Sequence, residues 1–222
     1  MAEQDLAGGN AAKASRKRNP EESRRRILDA AEDAFSRRGY DGARLRDIAQ
    51  DAGVHHALVH HYYGDKRGLF EAVLDRGLRR MMDLNIHSFE VRDGLEVGVS
   101  RIVGSLFDFL ADNRELLCIV EGAFRDQGSV SFDVAKKALG AIAQPLVADV
   151  ILTLRRGQEI GTVRQDIPAE DVLSYCFSLV VYPFILGNGL MTALGIPKFG
   201  AGSERPNRAH LIALITRALR PT

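Results

Sequence analysis

Four of the six histidines, His55, His56, His60 and His61, fall within seven positions, and Tyr62, Tyr63 and Lys66 follow closely. Imidazoles packed this densely could serve metal ligation, proton transfer or contact with a nucleic acid. His56 and His60 have the i, i+4 spacing that puts two rings on one side of a helix, as in a helical metal pair. Only Asp65, across a turn, is near enough to add a third ligand, so no metal is expected. Proton-transfer catalysis needs a partnered set, and none can be nominated, because His87 and His210 have no motif around them. Gly8-Gly9 is no phosphate loop, and no dinucleotide fingerprint exists. The residues give no grounds for an enzyme or a cofactor, which leaves contact with a partner.

The surrounding pattern says how those side chains are held. Leu45, Ile48 and Ala49 recur at helical spacing in a short helix ending near Ala52. Gly53 can take the positive φ of a tight turn, and Val54 plugs its inside. A second short helix then runs over 56–62 with Val59 and Tyr63 turned inward. Helix, glycine turn, helix is the arrangement whose second helix enters the major groove of DNA. That helix presents His55, His56, Leu58, His60, His61 and Tyr62. Upstream, Asn19-Pro20-Glu21-Glu22 starts a supporting helix with Ile27, Ala30, Ala31, Ala34 and Phe35 as its buried stripe. Gly39 ends it, and Tyr40 folds back on Phe35. Downstream, Asp65 caps a helix over 66–85 with Phe70, Val73, Leu74, Leu78 and Met81 on its apolar face. Lys66, in its first turn, can hold a phosphate there.

With Ile48-Ala49, three residues, Gly53-Val54, then Tyr62-Tyr63 and Asp65-Lys66, the stretch over about 22–85 resembles the DNA-binding domain of the TetR family of bacterial transcription regulators. It departs from that pattern with His60 where the family usually has Tyr and Tyr62 where it usually has His. Arg44 and His55 replace the usual Ser/Thr caps. The resemblance implies a homodimer on palindromic operator DNA, with contacts from Arg44, Arg46, His55, His56, Leu58, His60, His61, Tyr62 and Lys66. It also implies that helix 66–85 carries a ligand signal from a helical body to the DNA-binding head. By order alone it places the subunit interface on about 168–187 and 207–220, where Asp at Leu211 or Ile215 is expected to break dimerisation.

Composition fits a regulator. The 222 residues can bury a sizeable core, and a net charge of only +1 requires any nucleic-acid affinity to come from local charge. Cys118 and Cys176 lie in apolar stretches and the N-terminus has no apolar leader, so a reducing cytoplasm is expected. Residues 1–18 read as a disordered basic arm, 19–66 as the helix-turn-helix domain, and 67–222 as a helical ligand-binding and dimerisation domain. In that body Val97, Ile102, Val103, Leu106, Phe107 and Leu110 mark one helix, and Leu116, Leu117, Val120 and Phe124 a second. After a break at Gln127-Gly128-Ser129 a third helix, 134–159, carries Pro145, where a kink or restart is expected, and Gly161 ends it. Residues 172–197 have no charged side chain, but Pro183, Gly187, Asn188 and Gly189 interrupt them. A helix buried on all sides, shared between core and subunit interface, fits better than a membrane span. Residues 200–206 link to a closing helix with Leu211, Ile212, Leu214, Ile215 and Leu219. The fold class is all-α.

Among Phe107, Phe109, Phe124, Phe132, Tyr175, Phe177, Tyr182, Phe184 and Met191, a pocket for a small apolar effector is assigned to Phe107, Phe124, Tyr175, Tyr182 and Phe184. The function expected is a repressor released by that effector. The alternatives are a DNA-binding regulator without a small ligand, controlled by a partner protein or constitutive, and a membrane-associated protein built on 172–197. Phosphates around docked imidazoles would favour their charged form, so operator affinity is expected to rise from about pH 8 to pH 6; rings that read bases in their neutral form would instead lose binding in acid.

Overall fold

The computed structural model describes residues 19–82, 94–185, 193–195 and 208–221. Among them are nine helices and no strands: α1 (Pro20–Gly42), α2 (Leu45–Asp51), α3 (His56–Tyr63), α4 (Lys66–Met82), α5 (Leu95–Asp112), α6 (Arg114–Arg125), α7 (Val130–Glu159), α8 (Ala169–Ile185) and α9 (Arg208–Leu219). The fold is all-α. The basic arm 1–18, the far end of helix 66–85, Met191 and the link 200–206 lie outside the described residues.

Local signals set the ends of the head's helices. The Asn19 side chain accepts from Glu21 N at 3.1 Å, with Pro20 opening α1. Gly39, at φ 68, breaks α1 into two segments and lets Tyr40 stack on Phe35 at 6.2 Å. Both rings meet Phe70 of α4 edge-on at 5.0 Å. Gly53 takes φ 61, Val54 N donates back to Ala49 O at 2.9 Å, and the Val54 side chain packs on the core. Asp65 Oδ1 caps α4 by accepting from Gly68 N at 2.8 Å. Ile27, Phe35, Ile48, Val59, Leu69, Phe70 and Leu74 are buried together.

Two contacts fix the angle between α3 and α4. Gly68 sits so close to the end of α3 that a Cβ there would lie 2.2 Å from Tyr63 O, a backbone atom that cannot swing aside. Tyr63 Oη donates to Arg24 O at 3.2 Å, tying the same turn to α1. Further along α4, Arg76 donates to Asp29 Oδ1 at 2.6 Å and also pairs with Glu32, both on α1. Gly77 then meets Leu116 of α6, where a Cβ would be 2.6 Å from Leu116 Cδ1. Arg80 donates to Asn113 Oδ1, between α5 and α6, at 3.1 Å. One helix is therefore packed against both the head and the body.

The body corrects several expectations. α7 starts at Val130 rather than residue 134, because Ser129 accepts from Phe132 N at 3.1 Å after Gly128 turns at φ 98. It runs through Pro145 as one helix of 30 residues with no restart. Among the described residues α7, not 172–197, is the one helix long and apolar enough to cross a membrane, with mean hydropathy 1.5. Its Ala138, Leu139, Ile142 and Leu154 pack on the body core. α8 is not buried on all sides: Tyr175 is 62% exposed and Leu179 42%. Val97 of α5 is also exposed, and of the two free cysteines Cys118 is exposed and Cys176 half-buried. In α9, Ile215 is 1% exposed and Leu211 half-buried on the core, whereas Leu214 is 55% exposed. Asp at Ile215 would thus damage the body's interior.

Candidate functional site

α3 turns Val59 into the core and carries His56, Ala57, His60 and His61, all exposed, on the other side. At 3.6 residues per turn these four positions form one continuous face, with exposed His55 at its start. Ala57 was not among the residues expected here, because a methyl group carries no chemistry that spacing alone would flag. Leu58 and Tyr62 flank the face and are half-buried. Tyr62 stands aside because the Arg24 guanidinium lies 4.8 Å from its ring centre, holding it toward α1. His60 Nδ1 is 2.6 Å from Gly64 O, and the His60 ring meets His56 edge-on at 4.6 Å. His61 lies 5.3 Å from the Tyr62 ring. Among the described residues no three His, Cys, Asp or Glu side chains could hold a metal.

The cations around this face fall into two groups. Arg38 is matched by Asp47 at 3.3 Å and Asp51 at 3.6 Å, and Arg25 by Glu22 at 2.7 Å. Arg44 and Arg46, at the start of α2, are exposed and have no acidic partner among the described residues. The Arg26 guanidinium lies against Gly53, where a Cβ would come within 2.3 Å of Nη2. Neither Arg44 nor His55 caps its helix through the side chain, so the first N–H groups of α2 and α3 lack that partner, as the departures from Ser/Thr imply.

Lys66 also has partners within the protein. Its Nζ donates to Asp41 O at 3.1 Å and sits 4.8 Å over the Tyr40 ring, and burial pushes its ammonium below the usual lysine value. The break at Gly39 brings Asp41 and Tyr40 to the start of α4, so Lys66 fastens α4 to α1 with one of its three donors.

In the body, a cavity of about 520 Å³ lies between α4, α5, α6, α7 and α8. Leu78 and Met81 of α4 form one wall, with Phe109, Phe124, Ala143 and Phe177 among the others. Its polar groups are Asn113, Glu121 and Arg125. Each has a protein partner: Arg125 pairs with Glu121 at 2.6 Å, while Asn113 donates to Phe109 O at 2.8 Å and accepts from Arg80. Of the five aromatics assigned to a pocket, only Phe124 lines it. Phe107 is buried against Phe184, with ring centres 5.1 Å apart. Tyr175 and Tyr182 lie nearly half a turn around α8 from Phe177, which does line the cavity. Phe109 and Phe177 could be found in the sequence only as unsorted aromatics.

The sequence profile of the bacterial regulatory proteins of the tetR family matches residues 27–73, the span holding α2, α3 and their supports. The HTH-type transcriptional repressor SCO4008 of Streptomyces coelicolor is 34% identical over 158 residues, covering 70% of this chain and 75% of that protein. The chain belongs to the TetR family. The HTH-type transcriptional repressor Rv1474c of Mycobacterium tuberculosis is 30% identical over 201 residues, 89% of this chain and 92% of the relative. The crystal structure of the putative transcriptional regulator SCO4942 from Streptomyces coelicolor superposes with a TM-score of 0.67 at 22% identity, over 89% of this chain and 98% of that one. As a TetR-family member the chain is a DNA-binding transcription regulator rather than an enzyme.

Proposed function

We propose that this TetR-family regulator is a homodimeric repressor, bound to a pseudo-palindromic operator through two copies of α3 and released by a small, uncharged, apolar molecule. The head, 19–66, and the body, 67–222, meet within α4. His56, Ala57, His60 and His61 read the major groove, where Ala57 suits a thymine methyl. Arg44 and Arg46 neutralise phosphates, a sequence-independent share of the affinity. The relatives named as repressors support the sign of regulation.

The cavity is the observation that carries the effector reading. It is large enough for a small organic molecule, its walls are almost all apolar, and its polar side chains already have partners. A charged ligand would have to break one of those pairs. A neutral apolar one buries its surface at about 25 cal/mol per Å² without that cost. Because Leu78 and Met81 line the cavity, its occupant touches the helix that also packs on α1. To change operator affinity 5–150-fold, the two conformers must differ in effector binding by about 1–3 kcal/mol.

Filling the cavity tests this. Ala143→Trp places a large ring in the space, and the variant is expected to lose uptake of the neutral dye Nile red while keeping operator affinity. Dye binding equal to that of the unaltered chain would place the ligand site elsewhere. If no apolar compound changed DNA affinity, control by a partner protein or constitutive action would replace the effector reading.

A further inference from the structure

We propose that His60 reads an amino group on an operator base as a neutral imidazole, and that proton uptake converts it to a phosphate-binding cation, so sequence preference depends on pH. The proposal rests on α3 being the DNA-reading helix and goes beyond it by assigning one residue a class of base atom. A carbonyl oxygen only accepts, so the 2.6 Å contact with Gly64 O places a proton on His60 Nδ1. Gly64 closes α3 at φ 74, and its N–H donates to His60 O at 2.9 Å, which holds the acceptor in place. The neutral ring then has its lone pair on Nε2. In the major groove an acceptor can pair only with adenine N6 or cytosine N4. Once charged, the ring has a donor at both nitrogens, and Nε2 suits a phosphate oxygen at any sequence.

Among the described residues, the charged groups near α3 are engaged elsewhere or exposed. Charged groups on the neighbouring elements include Arg24 and Arg26 of α1, Arg44, Arg46, Asp47 and Asp51 of α2, and Asp65, Lys66 and Arg67 at the start of α4. Asp47 and Asp51 face Arg38, Asp65 caps Gly68, Lys66 is held by Asp41 O, and Arg67 pairs with Glu71 at 3.4 Å. Arg24 covers Tyr62, Arg26 covers Gly53, and Arg44 and Arg46 point to solvent. The ring in contact with it is His56, itself an exposed imidazole.

The sign follows from which form each complex selects. The amino-group contact selects the neutral ring, so its contribution is lost as pH falls. Non-specific complexes select the charged ring, so their affinity declines as pH rises. Discrimination between operator and random DNA therefore narrows from both sides between about pH 8 and pH 6.

The test uses the full chain and a duplex selected by it from a random pool at pH 8. Each adenine of the half-site is replaced in turn by purine, which lacks the N6 amino group, and each cytosine by 2-pyrimidinone, which lacks N4. At one position the deletion is expected to weaken the unaltered chain about 5-fold at pH 8 and hardly at all at pH 6. His60→Ala is expected to be indifferent to that same deletion at both pH values. His60→Gln, of similar reach but not titrating, is expected to keep one discrimination ratio across the range. The proposal is overturned if no deletion separates the unaltered chain from His60→Ala, or if its penalty is the same at pH 6. Absence of binding to any duplex at either pH would instead overturn the reading of α3 itself.

Discussion

Leu214→Asp combined with Leu179→Asp is expected to turn the protein from dimer to monomer and to reduce operator affinity by a factor of 10²–10⁴. The size of the effect comes from linkage rather than from lost DNA contacts. While one subunit is bound, its partner's α3 is held at high local concentration over the second half-site, and a monomer loses that. The two positions are chosen because α8 and α9, where the subunit interface is proposed, leave Tyr175, Leu179 and Leu214 uncovered. Asp171, Tyr175, Ser178 and Leu179 follow i, i+4, i+7 and i+8 spacing, one stripe of α8. Exposed positions cost the fold little, within about 0.5 kcal/mol each. Analytical ultracentrifugation and DNA titration on the same sample read both effects. A double variant that stayed dimeric would move the interface off α8 and α9.

The second large effect is expected at Arg76. Arg76→Ala leaves Asp29 and Glu32 without their shared cation, and Glu32 is only 14% exposed. A fully buried ion pair broken on one side costs about 3–5 kcal/mol. Arg76 is 21% exposed and Asp29 51%, so solvent screens part of this and a loss of about 2 kcal/mol is expected. Arg76→Lys is expected to recover only part of it, because an ammonium lacks the planar fork that meets two carboxylates. Glu32→Leu added to Arg76→Met is expected to restore stability, since an apolar pair can replace a buried ionic one. Thermal denaturation ranks the four proteins. Arg76→Ala melting together with the unaltered chain would mean that the bridge contributes nothing to the join between α1 and α4.

Much of the head was legible because its signals are local. Asn19 and Asp65 cap helices through contacts two or three residues away, and Gly53 sits in its turn by virtue of its own φ. What was not legible depends on partners far along the chain. Arg76 meets an acid 47 positions away, and Lys66 a carbonyl 25 positions away. Gly68 reads as a poor helix residue until the backbone of Tyr63 is seen against it. In the body an aromatic residue alone does not reveal its phase. Tyr175 and Phe177 are two positions apart on α8 and both are more than half exposed, yet only Phe177 lines the cavity. The same uncertainty of phase made Ile215 look like an interface residue when it belongs to the core. His60 was legible as an exposed imidazole, but its fixed tautomer appears only with Gly64 O beside it.

Selection of bound duplexes from a random pool, followed by counting the chains on the selected DNA by native mass spectrometry, tests the central claim most directly. Two α3 helices related by a twofold axis are expected to select a pseudo-palindrome whose half-sites are about one helical turn apart, or a multiple of it, with an even number of chains per duplex. His61→Ala is expected to alter the selected bases. Selection of an asymmetric site by a single chain, or of no consensus at all, would contradict the account.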